Sequence, residues 1–264
     1  MKNLIDNGAA WTVDQADGLR RMFARTGCVI LPLVSNPHVK ASGVAVERLT
    51  AVLALQGCKT LVVDAAETSP PLSEASVLDL GSCIEHLSPT IAYMAAQGLP
   101  RRFVDTQGSS AWLLDELTRL VPDVQAVLLH ASAADLVRLC TGRTLRPLVL
   151  GGDDQDSVKH AYASMKLLVQ RCAWRSFDLV MLGLTQSERL AAIASTLGDC
   201  ADHFVGASLH DWAWIYEMSP PGQAPSAALR RLVAEHFGSP GRPGANPRPS
   251  VAGANLAPLG LRAG

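Results

Sequence analysis

A chain of 264 residues with 48% hydrophobic but only 5% aromatic side chains can bury one substantial core packed by aliphatic residues. Its formal net charge of -1 supplies no general attraction to nucleic acid or anionic lipid. No apolar run approaches the roughly 18 residues that span a bilayer, and the N-terminus lacks a secretory h-region, so a cytoplasmic protein is expected. Six scattered cysteines, Cys28, Cys58, Cys83, Cys140, Cys172 and Cys200, form no CxxC pair and read as buried, reduced thiols, with no metal site and no disulfide framework.

In chain order, residues 11–25 are helical in pattern, with Thr12 as a cap. Residues 29–34 (VILPLV) form an apolar, β-rich run, followed by a turn-rich loop over 35–43 (SNPHVKASG). An amphipathic stretch closed by Gly57 leads to a second apolar run, TLVVDAA from Thr60. Together these form a βαβ unit. Further apolar runs over 102–105, 125–130, 146–150 and 177–182 alternate with helical patterns near 111–120, 154–172 and 186–201. That alternation predicts an α/β fold: a mainly parallel sheet with helices on both faces. The stretch SAALRRLVAEHF ending at Phe237 places Leu229, Leu232, Val233 and Phe237 on one helix face, with Arg230 and Arg231 beside it. From Gly238 the sequence is dense in Gly, Pro, Ala and Asn without periodicity, which predicts a disordered tail. Three parts follow: an N-terminal helix within 1–26, an α/β domain over 27–237 and a tail over 238–264.

The loop after the first strand can be judged by what a phosphate-binding loop needs. Glycines let backbone N–H groups curl round phosphates, a lysine neutralises their charge, and a Ser or Thr ligates magnesium. The strand, loop, helix and strand resemble the deviant P-loop unit of the MinD/ParA family, S/T-x-K-G-G-x-G-K-T-T followed by a strand ending D-x-D. Aligned without gaps from Ser35 to Asp64, the family's signature lysine falls on Pro37, and its glycines fall on His38, Val39 and Ala41. Its P-loop lysine falls on Ser42 and its magnesium-binding threonine on Gly43. The acidic pair reads Asp64, Ala65, Ala66, and AVLLHASAA puts His130 where the family's second switch carries an aspartate. The family's adenine-reading asparagine is absent near 183–186. Three readings stay open: a shifted register with Lys40 and Ser42 as makeshift lysine and hydroxyl, weak nucleotide binding without turnover, or a structural turn joining strand to helix. The third is favoured, because Pro37 removes an N–H donor and β-branched Val39 resists positive φ. His130 reads as a strand-end residue, and no independent catalytic motif appears.

Residues 14–21 read DQADGLRR, which resembles the D-Q-A-x-x-L-R motif at the N-terminus of the FlhG (FleN) family, MinD-like regulators of flagellar number and placement. The resemblance implies a helical peptide that docks on an FlhF-type GTPase and stimulates GTP hydrolysis, with Asp14, Gln15, Ala16, Leu19 and Arg20 as contacts and Gln15 as the key residue. Physically, Gln15 offers two donors and an acceptor, Ala16 and Leu19 anchor at i, i+3 spacing, and Gly18 lowers intrinsic helicity, favouring a segment that orders on binding. DDQDSVKHAYASMKLL from Asp153 keeps Ser157, Ala161, Tyr162, Lys166 and Leu168 in the frame of a family segment. In MinD-like proteins a terminal amphipathic helix touches membrane, which makes Leu229, Arg230, Arg231, Leu232, Val233 and Phe237 a candidate for weak peripheral contact at the inner membrane or cell pole; packing as the last helix of the domain is the favoured alternative. The expectation is a MinD-like regulator of flagellar assembly with a degenerate nucleotide site and no cofactor, other flagellar basal-body or regulatory proteins as further partners, and no nucleic-acid partner. The alternatives are an ATPase using ATP and magnesium through an atypical loop, and a non-catalytic scaffold.

Overall fold

The computed structural model describes residues 28–72, 79–184 and 188–237; the expected N-terminal helix within 1–26 and the tail over 238–264 lie outside them. In chain order the elements are β1 (Val29–Val34), α1 (Ser42–Leu55), β2 (Thr60–Asp64), a 3-10 turn (Leu80–Cys83), β3 (Glu85–Ser88), β4 (Ile91–Ala95), α2 (Leu99–Arg102) and α3 (Ala111–Leu120). They continue with β5 (Ala126–Ala131), α4 (Ala133–Leu139), β6 (Leu148–Gly151), α5 (Gln155–Cys172), β7 (Ser176–Gly183), α6 (Glu188–Val205), β8 (Ser208–Tyr216) and α7 (Ala227–Phe237). The eight strands form one sheet in the order β3-β4-β2-β5-β1-β6-β7-β8. All neighbours are parallel except the β3–β4 pair.

Both faces of the sheet are covered, and strand alternation divides the apolar residues between them. Leu61, Val63, Val127, Leu129, Val149, Leu179 and Met181 join the core that also takes in Leu113, Leu136, Met165 and Leu197 from α3, α4, α5 and α6. Leu31, Leu33, Val62, Leu128, Leu150, Val180 and Leu182 face the other way, against Leu49 and Val52 of α1 and Leu232 and Val233 of α7. Gly57 closes α1 at φ 70, a left-handed position that a Cβ would strain.

A proline in a central strand has to lose a ladder bond somewhere. The N–H groups of Val29 and Ser35 donate to the β5 side, at Gln125 O and Ala131 O. Odd positions of β1 therefore face β5, and the even position Pro32 turns its nitrogen toward β6. The β1–β6 register starts at Leu33 opposite Leu148, one residue past the proline, so the sheet forms no ladder bond there.

The strand expected over 102–105 is not found. Gly98, at φ 76, and Pro100 instead start the helical turn α2, since proline's fixed φ suits a first turn. The strand of that unit is β4, eleven residues upstream in its start, and its IAYMA pattern alternates half-buried and buried residues.

The last helix is held at both ends of its apolar face. Leu229, Leu232 and Val233 are buried, so the face that was also a candidate for weak membrane contact packs inside the domain, the favoured alternative, with Arg230 exposed and Phe237 half-buried. Polar groups fix its register: Arg231 pairs with Asp211 through Nη2 at 2.9 Å, and His236 Nε2 lies 2.9 Å from the buried Asp178 carboxylate. Arg146 at 2.9 Å and His210 at 3.3 Å share that carboxylate. The exposed loop before the helix is clamped by the buried Arg48 of α1, whose guanidinium donates to the Pro220 and Gln223 carbonyls. Among the described residues no helix is long and apolar enough to cross a membrane.

Candidate functional site

In a parallel α/β sheet the loops at the carboxyl ends of the strands form the natural crevice. Here that crevice is bounded by the β1–α1 loop, the segment after β2, Ser132 after β5 and His160 of α5. The loop's conformation follows from one side chain. Asn36, 3% exposed, turns inward, and its Nδ2 lies 3.0 Å from Leu150 O, Ser157 O and Ser157 Oγ. Its Oδ1 accepts from His38 N at 3.1 Å, and its carbonyl accepts from Val39 N at 3.0 Å. Ser157 is fixed in turn, since its Oγ accepts from Gly152 N at 2.7 Å and its N–H donates to the Asp154 cap at 2.9 Å. Val39 is buried in the core beneath α1. The Asn36 side chain thus ties the loop to β6 and the start of α5, and Asn36 itself takes up the His38 and Val39 N–H groups that a phosphate cradle would need to keep free.

Its backbone has no cradle geometry either. Among the described residues, positive φ occurs at Ala173 and at glycines 57, 98, 108, 142, 206 and 222, none of them between Ser35 and Gly43, whereas a phosphate nest needs alternating left-handed residues. The cleft left over is about 30 Å³, roughly the share of one water in liquid and a tenth of the smallest usual ligand pocket. Of the two makeshift groups, Ser42 lines this cleft; Lys40 is exposed and does not. Pro37 lines its mouth, while Gly43 is exposed on the first turn of α1. Glu67 also lines it, setting a carboxylate where anionic phosphate would have to enter. The remaining anion-friendly feature is the start of α1, which no side chain caps and no acid occupies.

The second pair of expected residues does meet. Asp64, last in β2, and His130, next to last in β5, stand in direct register, and parallel partners present side chains to the same face. His130 Nδ1 lies 2.9 Å from Asp64 Oδ1. The same carboxylate accepts from Ala66 N at 3.3 Å and from the Tyr93 hydroxyl at 3.4 Å. Burial pushes the Tyr93 hydroxyl above its usual range, and the nearby Asp64 charge adds to this, so it remains a donor. With an ionised Asp64 the imidazole proton sits on Nδ1, and His130 Nε2 is buried without a hydrogen-bond partner. A carboxylate held this way has few lone pairs left for hydrated magnesium. At the cleft's outer wall, His160 and His38 stand edge to face with ring centroids 5.9 Å apart. Burial, and then His38, hold the His160 imidazole below the ordinary histidine value, partly offset by a hydrogen bond to the Ser35 backbone.

Sequence reasoning found Ser35, Pro37, Lys40, Ser42, Gly43, Asp64 and His130 by alignment, but missed Asn36, Glu67, Tyr93 and His160 as the groups that shape the site. The Asn-Pro step at 36–37 was the available signal, because asparagine favours local backbone bonds and the residue before proline avoids helix. Asp14, Gln15, Ala16, Leu19 and Arg20 lie outside the described residues.

No family model matches the sequence, and no curated protein matches it. Solved structures do match in shape. A plasmid partition protein from Borrelia burgdorferi superposes with a TM-score of 0.54 at 9% identity, over 80% of this chain and 97% of that one. An ATP complex of McdA from Cyanothece gives 0.55 at 12%, over 80% and 97%. MinD, the cell division protein of Aquifex aeolicus, gives 0.52 at 10%, over 81% and 98%. At such identities the likeness establishes architecture: the chain has the fold of the MinD/ParA-type P-loop ATPases.

Proposed function

We propose that this protein is a MinD/ParA-fold regulator that acts by binding, without turning over nucleotide, and that its effector is the segment carrying Asp14, Gln15, Ala16, Leu19 and Arg20. The observation that carries the first half is the closed β1–α1 loop: Asn36 occupies its interior through bonds to Leu150 and Ser157, and Glu67 faces the remaining cleft. The residues at this site do not fit ATP and magnesium, and no cofactor is assigned to it.

The second half rests on the DQADGLRR sequence and its resemblance to the FlhG motif. In this reading the segment enters the composite site of an FlhF-type GTPase in flagellar assembly. There the Gln15 amide positions water or polarises the phosphate, and Asp14 and Arg20 fix its approach. With purified components, addition of this protein should raise the partner's GTP turnover, and Gln15→Ala should abolish the effect while leaving the fold intact. Unchanged turnover, or equal stimulation by the variant, overturns the effector role.

A second reading, a nucleotide-hydrolysing ATPase, draws on the shared architecture, since McdA of the same fold is described in complex with ATP. It requires the loop to open. ATP turnover, or a dimer that forms only with millimolar ATP and magnesium and disappears in Ser42→Ala, would establish it. Absence of both supports the binding role.

A further inference from the structure

A second cleft lies away from the β1–α1 loop. It measures about 630 Å³ and opens between the C-terminal ends of α4 and α5 and the turn around Gly108. In a parallel α/β unit a helix C-terminus leads to the amino end of the next strand, so this cleft lies toward the opposite end of the strands from the degenerate site. Three arginines line it, Arg138, Arg143 and Arg171, and none of its lining residues is acidic.

Their donors are only partly committed. Arg138 is braced by Nη1, which donates to Asp135 Oδ1 at 2.9 Å and Ala134 O at 3.1 Å, leaving Nε and Nη2. Arg143 is braced at Nη2 by Asp115, 2.6 Å away, and its backbone is held by Trp174 Nε1, which donates to its carbonyl at 2.7 Å. Arg171 is exposed on the last turn of α5 and has no ion pair among the described residues. A guanidinium carries five donors in a planar fork that matches phosphate oxygens two at a time. Both flanking turns carry glycines at positive φ, Gly108 at 78 and Gly142 at 76, with open space where a Cβ would stand, so backbone can approach a ligand closely. The two cysteines of the wall add no negative charge: burial pushes the Cys140 thiol up to about 12 and raises Cys172 as well.

The geometry points to a binding site for a small phosphorylated molecule at this three-arginine cleft, separate from the β1–α1 loop. Arg171 supplies an unpaired charge and the spare donors of Arg138 and Arg143 add to it in a concave wall, where an anion would be drawn, and the volume falls within the roughly 300–1,000 Å³ of small-molecule sites. A diphosphate alone would not fill it, so the natural ligand carries an organic body of about sugar or nucleoside size. The overall charge of -1 and the concave shape favour such a molecule over the backbone of a nucleic acid.

Calorimetry with inorganic pyrophosphate at low ionic strength tests this on the full chain. The expected result is saturable binding of one ion, weakened at least tenfold in Arg171→Glu and in Arg143→Glu and unchanged in Lys40→Glu, with thermal melts confirming that each variant folds. Arg171→Glu is the cleaner variant because it breaks no ion pair among the described residues. Absence of saturable binding, loss in Lys40→Glu, or displacement of pyrophosphate by a single-stranded oligonucleotide of higher affinity would each overturn the assignment.

Discussion

Replacing Asn36 by alanine tests the closure of the β1–α1 loop directly. Its Nδ2 has two protons for three acceptors, Leu150 O, Ser157 O and Ser157 Oγ, each at 3.0 Å, so at most two good bonds exist at once. Each is worth about 0.5–1.5 kcal/mol net, and leaving a buried acceptor unpaired costs about 1–3 kcal/mol. Ser157 Oγ keeps Gly152 N at 2.7 Å, and His38 N, which loses Oδ1, belongs to an exposed residue that water can reach, so the buried groups that lose a donor are the two carbonyls. The loss should therefore be about 2–4 kcal/mol, or about 4–16 °C in Tm for a domain of this size at about 2–4 °C per kcal/mol. Circular dichroism during urea and thermal unfolding reads both. Asn36→Asp should cost more than alanine, because an ionised carboxylate donates nothing and faces the same oxygens. In a double-mutant cycle Ser157→Ala and Asn36→Ala should be non-additive by about 1 kcal/mol. A loss below about 0.5 kcal/mol for alanine, or an aspartate milder than alanine, would refute the view that this amide holds the loop shut.

Three further outcomes follow from the same geometry. Asp178→Asn removes the charge shared by Arg146, His210 and His236 and should destabilise by about 3–5 kcal/mol, the usual cost of breaking a buried ion pair, read as a lowered urea midpoint. Leu232→Ala, at a fully buried site, should cost about 2–5 kcal/mol with an unchanged denaturant slope. For pH, burial and His38 depress the folded-state value of His160 below the roughly 6.5 of an unfolded histidine. The unfolded chain therefore binds the proton first, and stability falls as pH drops through about 6.5 toward the folded value. His160→Gln should flatten that part of the stability profile, and His38→Asn should raise the His160 titration midpoint seen by NMR.

The strands that proved readable are those buried on both faces. VILPLV, AVLLHA and the LVML of β7 are near-continuous apolar runs, and no helix of that composition fits between their turns. The long helices α3, α5 and α6 were visible for the complementary reason, their periodic polar faces. The antiparallel β3 was invisible because EHLS lies exposed at the sheet edge and carries no apolar period. The 102–105 run looked like a strand by composition, yet Gly98 and Pro100 decide it as a turn. At the loop, alignment named the positions and the residues that fill them, but not what those residues hold. It reported which groups a phosphate loop lacks, whereas the interior position of Asn36 depends on Leu150 and Ser157, more than a hundred residues away. Pairing of Asp64 with His130 was latent in the pattern, since both end apolar strands, but only the β2–β5 adjacency makes them neighbours.

The clamp on the loop before α7 has a consequence for the covalent chain. Residues 220–224 are exposed, while Arg48 grips the loop at the Pro220 and Gln223 carbonyls and the helix beyond buries Leu229, Leu232 and Val233. Three such side chains contribute about 5–9 kcal/mol of burial. A protease that nicks the loop should therefore leave the two fragments associated in native buffer, co-eluting on a sizing column and separating only in denaturant. The same arithmetic makes α7 a peptide that a chain ending before Ala227 should take back, a domain that can be cut in two and reassembled at its last helix.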